Sequence, residues 1–111
     1  MPKISRNKLE PDVNELILKR LVRTFTKLNK EEELDRLLKN LFTGTERIML
    51  AKRINIAMLL EEGLSYEKIS KKLKVSHATI SFVRQSLLIR DAHYKELIED
   101  LNRLLGKKNN S

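Results

Sequence analysis

The sequence predicts an all-α protein, and three observations carry that prediction. Only three glycines and two prolines interrupt the 111 residues. Leu, Lys, Glu, Ile and Arg dominate the composition, as helices favour. Apolar residues return at helical spacing in stripes separated by very short connections, and six such stretches can be counted. At this length roughly two-thirds of the unfolded surface can be buried, so residues 1–111 are expected to form a single helical domain.

Residues 1–10 are basic and unpatterned, with Lys3, Arg6 and Lys8, and are expected to be a flexible arm able to add phosphate contacts. Pro11 and Asp12 open the first helix, with Asp12 and Glu15 spaced as a capping box. Val13, Leu16, Ile17, Leu21, Phe25 and Leu28 form its stripe, and Lys19, Arg20, Arg23 and Lys27 face outward. Asn29 is the expected cap of the second helix. Glu31, Glu32 and Glu33 fill its first turn, where negative charge meets the positive helix end, and Leu34, Leu37, Leu38, Leu41 and Phe42 form its apolar face. Thr43 and Glu46 supply a second capping box for a third helix over about 44–62. That helix is apolar around more than one face, from Ile48 to Leu60, and must therefore be central. Gly63 is placed to end it with a left-handed cap.

The stretch 65–87 reads as a helix-turn-helix. Ser65 can cap the first motif helix, Ile69 and Leu73 share one face, Val75 falls in the turn, and Ser76 can cap a second helix whose inward residues are Ile80, Val83 and Leu87. Ser76, His77, Ala78, Thr79, Ser81, Phe82 and Gln85 are then left outside, mostly short or hydrogen-bonding, as a helix that reads a DNA major groove requires. Lys68, Lys71, Lys72, Lys74 and Arg84 surround them. Lys74 stands where many such motifs place a turn glycine and is expected to continue a right-handed helix into the turn. Ser70 replaces the commoner alanine at the helix crossing and is small enough for close approach. Beyond Leu87, residues 88–106 are expected to carry a last helix with Tyr94, Leu97, Ile98, Leu101, Leu104 and Leu105 on one face, ended by Gly106. The tail KKNNS reads as a frayed end.

Charge points the same way. The net charge is +8, with a pI near 9.9, and it is uneven along the chain. From Gly63 to Arg90, six basic residues stand against the single acid Glu67, which concentrates phosphate-seeking charge at the motif. The predicted partner is double-stranded DNA. With no cysteine, disulfides and thiolate metal sites are excluded. No apolar segment suits a secretory signal or a membrane span, so no membrane association and a cytoplasmic location are expected. No catalytic constellation can be assembled either. His77 and His93 lie far apart without a nucleophile elbow or a glycine-rich phosphate loop, so neither an enzyme, a metal site nor a cofactor is expected. His77 is expected to be a DNA-facing donor and His93 a surface residue at a helix start.

The first two helices and the last carry more apolar stripes than one chain can hide beside an exposed motif. An interlocked homodimer would bury them and would set two reading helices across a twofold axis, matching a palindromic site with half-sites about 34–36 Å apart. Two other classes compete with a sequence-specific regulator. One is a helical protein-interaction module, which would expose a large apolar patch at the motif where lysines stand. The other is a domain like the promoter-reading end of a sigma factor.

From Thr43 onward the run TGTERIMLAKRINIAMLLEEGLSYEKISKKLKVSHATISFVRQSL resembles the Trp repressor-like family, especially its small YerC/YecD-type branch. The matches are Thr43-x-x-Glu46-Arg47, Arg53 within the long helix, Leu-Leu-Glu-Glu-Gly ending at Gly63, and Ala78-Thr79-Ile80-Ser81. The resemblance covers about half the chain closely, and the N-terminal third matches in pattern only. It implies an intertwined six-helix homodimer that binds operator DNA and represses transcription, with the second motif helix in the major groove. In relatives that bind tryptophan, the ligand lies between the long third helix and the second motif helix, held by an arginine from each, with a glycine leaving room for the indole. Here Thr43 and Arg53 occupy matching positions, but Phe82 replaces the second arginine and Val83 the glycine. The resemblance thus implies a vestigial effector pocket at Thr43, Arg53, Phe82 and Val83, unsuited to tryptophan and of unknown effector. Phe82 either occupies the vacated space and holds the reading helix without a ligand, or faces the groove against a thymine methyl.

Overall fold

The computed structural model describes residues 8–106. Most of the expected basic arm (1–7) and the polar tail (107–111) lie outside the described residues. The described residues form six α-helices and no strand, and the chain divides into two compact units, 1–43 and 44–111.

The first unit carries α1 (Pro11–Lys27) and α2 (Glu31–Leu41). The expected capping box of Asp12 with Glu15 does not form. Pro11 takes the first helical position, where its missing N–H costs nothing, so the cap falls on Glu10 and Asp12 lies inside the first turn. Glu15 pairs instead with Lys19, one turn on, at 3.3 Å. Asn29 is likewise displaced, because α2 begins one residue later than its spacing suggests and Lys30 is the cap, without a side-chain bond. The three glutamates do fill the first turn of α2. Neither helix buries a single residue.

The second unit carries α3 (Gly44–Glu61), α4 (Tyr66–Leu73), α5 (His77–Gln85) and α6 (Ala92–Leu101), with π-helical turns at Ser86–Arg90 and Asn102–Gly106 extending α5 and α6. α3 ends as expected. Gly63 adopts φ 95°, and the amides of Gly63 and Leu64 close back onto the carbonyls of Leu60 (3.0 Å) and Leu59 (3.1 Å), the paired bonds of a Schellman cap. One core unites these helices: Ile56 and Ala57 of α3, Ile69 of α4, Ile80 and Val83 of α5, Leu87 of the first π turn and Ile98 of α6. Each fully buried aliphatic side chain contributes about 1.5–3 kcal/mol relative to exposure.

α6 does not run on directly from the motif. Asp91 interrupts the chain in an extended conformation, and its carboxylate accepts from the His93 amide at 2.9 Å, capping the new helix. Of the stripe expected there, Ile98 is buried and Tyr94 and Leu101 are half-buried, but Leu97, Leu104 and Leu105 are exposed. Asn102 fastens the far end of α6 to the end of α3, donating to the Met58 carbonyl (2.9 Å) and to Glu61 Oε2 (3.0 Å). α3 is central only in its second half. Ile48, Met49 and Leu50 of its first half, and Ile54 just past its midpoint, are exposed.

Candidate nucleic-acid interface

The motif is built from short-range devices. Ser65 Oγ accepts from the Lys68 amide at 3.2 Å and starts α4. Ser76 Oγ accepts from the Thr79 amide at 3.1 Å and starts α5. Each satisfies a donor that the first helical turn leaves unpaired. Between them Lys74 adopts φ 57° and ψ 54°, a left-handed conformation and not the right-handed continuation expected of it. A lysine can stand there because the surrounding bonds over-determine the turn. The Lys74 and Val75 amides both close on the Ser70 carbonyl, and the Ser70 hydroxyl donates to the Val75 carbonyl at 2.7 Å. Serine thus does at the crossing what alanine could not. Lys52 of α3 adds a contact from outside the motif, its Nζ donating to the Lys74 carbonyl at 3.3 Å.

With Ile80, Val83 and Leu87 in the core, α5 turns an opposite face outward. Ala78, Phe82 and Gln85 are exposed there and Ser81 is half-buried. Lys68, Lys71, Lys72, Lys74, Ser76, His77 and Arg84 are all exposed around them. Thr79 is the exception. It is half-buried and its hydroxyl shares a bond with Ser76 Oγ at 3.0 Å, so it belongs first to the cap. The single acid of the segment, Glu67, pairs with Lys71 at 3.4 Å while both side chains stay largely exposed, a pair worth little.

Rings brace both flanks of α5. Tyr66, the first residue of α4, meets the His77 ring edge-on at 5.8 Å and lies under the Arg84 guanidinium at 5.8 Å. On the other flank the Arg53 guanidinium lies over the Phe82 ring at 5.3 Å. Arg53, Ala78, Thr79 and Phe82 line an open cavity of about 240 Å³. Tyr66 and Lys52 were not among the residues singled out from the sequence. A tyrosine directly after a capping serine in a chain with only two tyrosines was an available signal for the first. For Lys52, whose partner lies 22 residues away, no local signal exists.

The family model described as Trp repressor protein matches residues 17–102. The chain belongs to the Trp repressor family. That is a family of regulatory DNA-binding proteins. Among solved structures, the chain is similar to a TrpR-like protein from Eubacterium eligens ATCC 27750, with 28% identity, a TM-score of 0.72, and coverage of 78% of this chain and 90% of that one. No curated protein matches. Among the described residues no helix is long and apolar enough to cross a membrane.

Of the four positions matched to the family's effector pocket, Arg53 and Phe82 meet. Val83 is buried in the core and does not line the cavity. Thr43 belongs to the first unit. Among the described residues, Arg53 is the one charged residue lining the cavity.

Proposed function

We propose that the protein is a sequence-specific transcriptional regulator, a repressor that binds a palindromic operator as a homodimer through α5, without tryptophan as corepressor. The observation that carries this reading is α5 itself. Its back fills the core through Ile80 and Val83, while Ala78, Ser81, Phe82 and Gln85 stand on a front surrounded by Lys68, Lys72, Lys74 and Arg84. Short polar side chains can reach base edges, and the cations supply the phosphate attraction that holds register.

The homodimer is supported by apolar residues left uncovered. Val13, Leu16, Ile17, Leu18, Leu21 and Val22 of α1, and Ile48, Met49, Leu50 and Ile54 of α3, are exposed. Within each unit, so many exposed apolar residues on one helix exceed scattered surface hydrophobes. A second copy, with the same helices, offers a self-complementary cover, and α6 with its exposed Leu97 and Leu104 is proposed to share in it.

Selection of bound duplexes from a random pool tests the reading. The expected product is a palindrome with half-sites about one helical turn, 34–36 Å, apart. A lone half-site refutes the dimeric operator, and recovery of no preferred sequence refutes sequence-specific binding.

A further inference from the structure

We propose that Lys52 and Arg53, adjacent on α3, are positioning residues that clamp the motif at two points, the turn and the reading helix. The inference rests on α5 being the DNA-reading element. Lys52 donates to the carbonyl of Lys74, the residue held at φ 57°. A left-handed residue at a helix end turns its carbonyl away from the helix, so an ammonium from outside is a fitting, charge-assisted partner. Ser76, the cap of α5, follows two residues later, so the orientation of this turn sets the direction in which α5 leaves it. Arg53 holds α5 further along, over the ring of Phe82.

α3 is rigidly placed to act in this way. Lys52 and Arg53 each stand one helical turn before a core residue, Ile56 and Ala57, both 0% exposed, so each lies directly above an anchored position. Tyr66 braces the opposite flank of α5 through His77 and Arg84. The reading helix is thereby fixed at its start and on both sides by groups of this chain. Arg53 and Phe82 join α3 to α5 directly, side chain to side chain.

Amide hydrogen exchange on the full chain, without DNA, reads the clamp. Lys52→Met and Arg53→Gln are each expected to speed exchange across residues 75–85 and to leave α6 unchanged, while Lys52→Arg, which keeps a donor, returns the wild-type pattern. On a duplex selected by the protein, Lys52→Met and Arg53→Gln are each expected to lose about tenfold in affinity, with a smaller loss on random duplex. Equal losses on both duplexes make the two side chains phosphate contacts and overturn the proposal. Unchanged exchange across 75–85 in both variants overturns it as well. If Lys52→Met unfolds the chain, Arg53→Gln and the Lys52→Arg comparison decide by the same readings. A protein that selects no duplex refutes the proposed function, and exchange alone then decides the clamp.

Discussion

Lys74 is the residue whose local preference and native conformation disagree most. A non-glycine residue in the left-handed region costs about 1–2 kcal/mol, and at Lys74 the closing bonds to Ser70 and from Lys52 offset that cost. Lys74→Gly is therefore expected to raise stability by roughly 0.5–1 kcal/mol, seen as a higher urea midpoint with an unchanged slope. A lower midpoint would show that the lysine side chain stabilises the turn by more than its backbone strain costs. Ser76→Ala works in the opposite direction. It removes the acceptor of the Thr79 amide and the hydroxyl partner of Thr79, and about 1 kcal/mol of stability should go with it. At this scale the caps at Ser65, Gly63 and Ser76 were legible in the sequence because capping is local. The backbone of Lys74 was not, because its conformation is enforced from α3 and from Ser70 against its own preference. Asp12 and Asn29 misled for a simpler reason, each helix starting one or two residues from where the capping pattern placed it.

At the scale of elements, α4 and α5 divide the basic and polar residues of the motif into two sets with different expected consequences. Lys72 lies on α4, exposed and without an ion pair among the described residues, and Lys71 has only its solvent-exposed pairing with Glu67. Lys72→Ala should weaken binding to every duplex alike and reduce the slope of log affinity against log salt by about 1. Gln85→Ala and Ser81→Ala, on the front of α5, should instead erode discrimination between selected and random duplexes by about 1–3 kcal/mol per lost base contact. If titrations at several salt concentrations gave the same pattern for both sets, the front of α5 would not be the reading face. The helices and the inward set Ile69, Ile80, Val83 and Leu87 followed from periodicity, which reports which face of an element is apolar. Periodicity does not report what covers that face. The stripes of α1 and α2 bury nothing within the chain, and half of the α6 stripe is exposed. The contacts that brace the motif, from Tyr66, Arg53 and Lys52, join residues of different helices, and periodicity within one helix does not report such pairings.

At the scale of the whole molecule, the exposed apolar residues and the altered effector positions lead to two expectations. Light scattering at micromolar concentration should give twice the chain mass of 13.0 kDa, and a stable monomer that binds a single DNA site would refute the dimer. Tryptophan, in turn, should not control DNA binding. A carboxylate held between two guanidinium groups gains two charge-assisted contacts, but among the described residues the cavity between α3 and α5 is lined by one, from Arg53. The ring of Phe82 stands where the resemblance places the second, already stacked on the first. Val83 stands where the resemblance places the glycine that leaves room for the indole, but it packs in the core, 5% exposed, and not along the cavity. A tryptophan entering here would meet a single cation, and would have to displace Phe82 from Arg53 to reach it. Calorimetric titration of tryptophan into the protein, alone and with its selected duplex, should therefore give no saturable heat and no change in DNA affinity. Micromolar saturable binding would mean that Phe82 moves aside to open a pocket, and that the pose of α5 depends on a ligand after all.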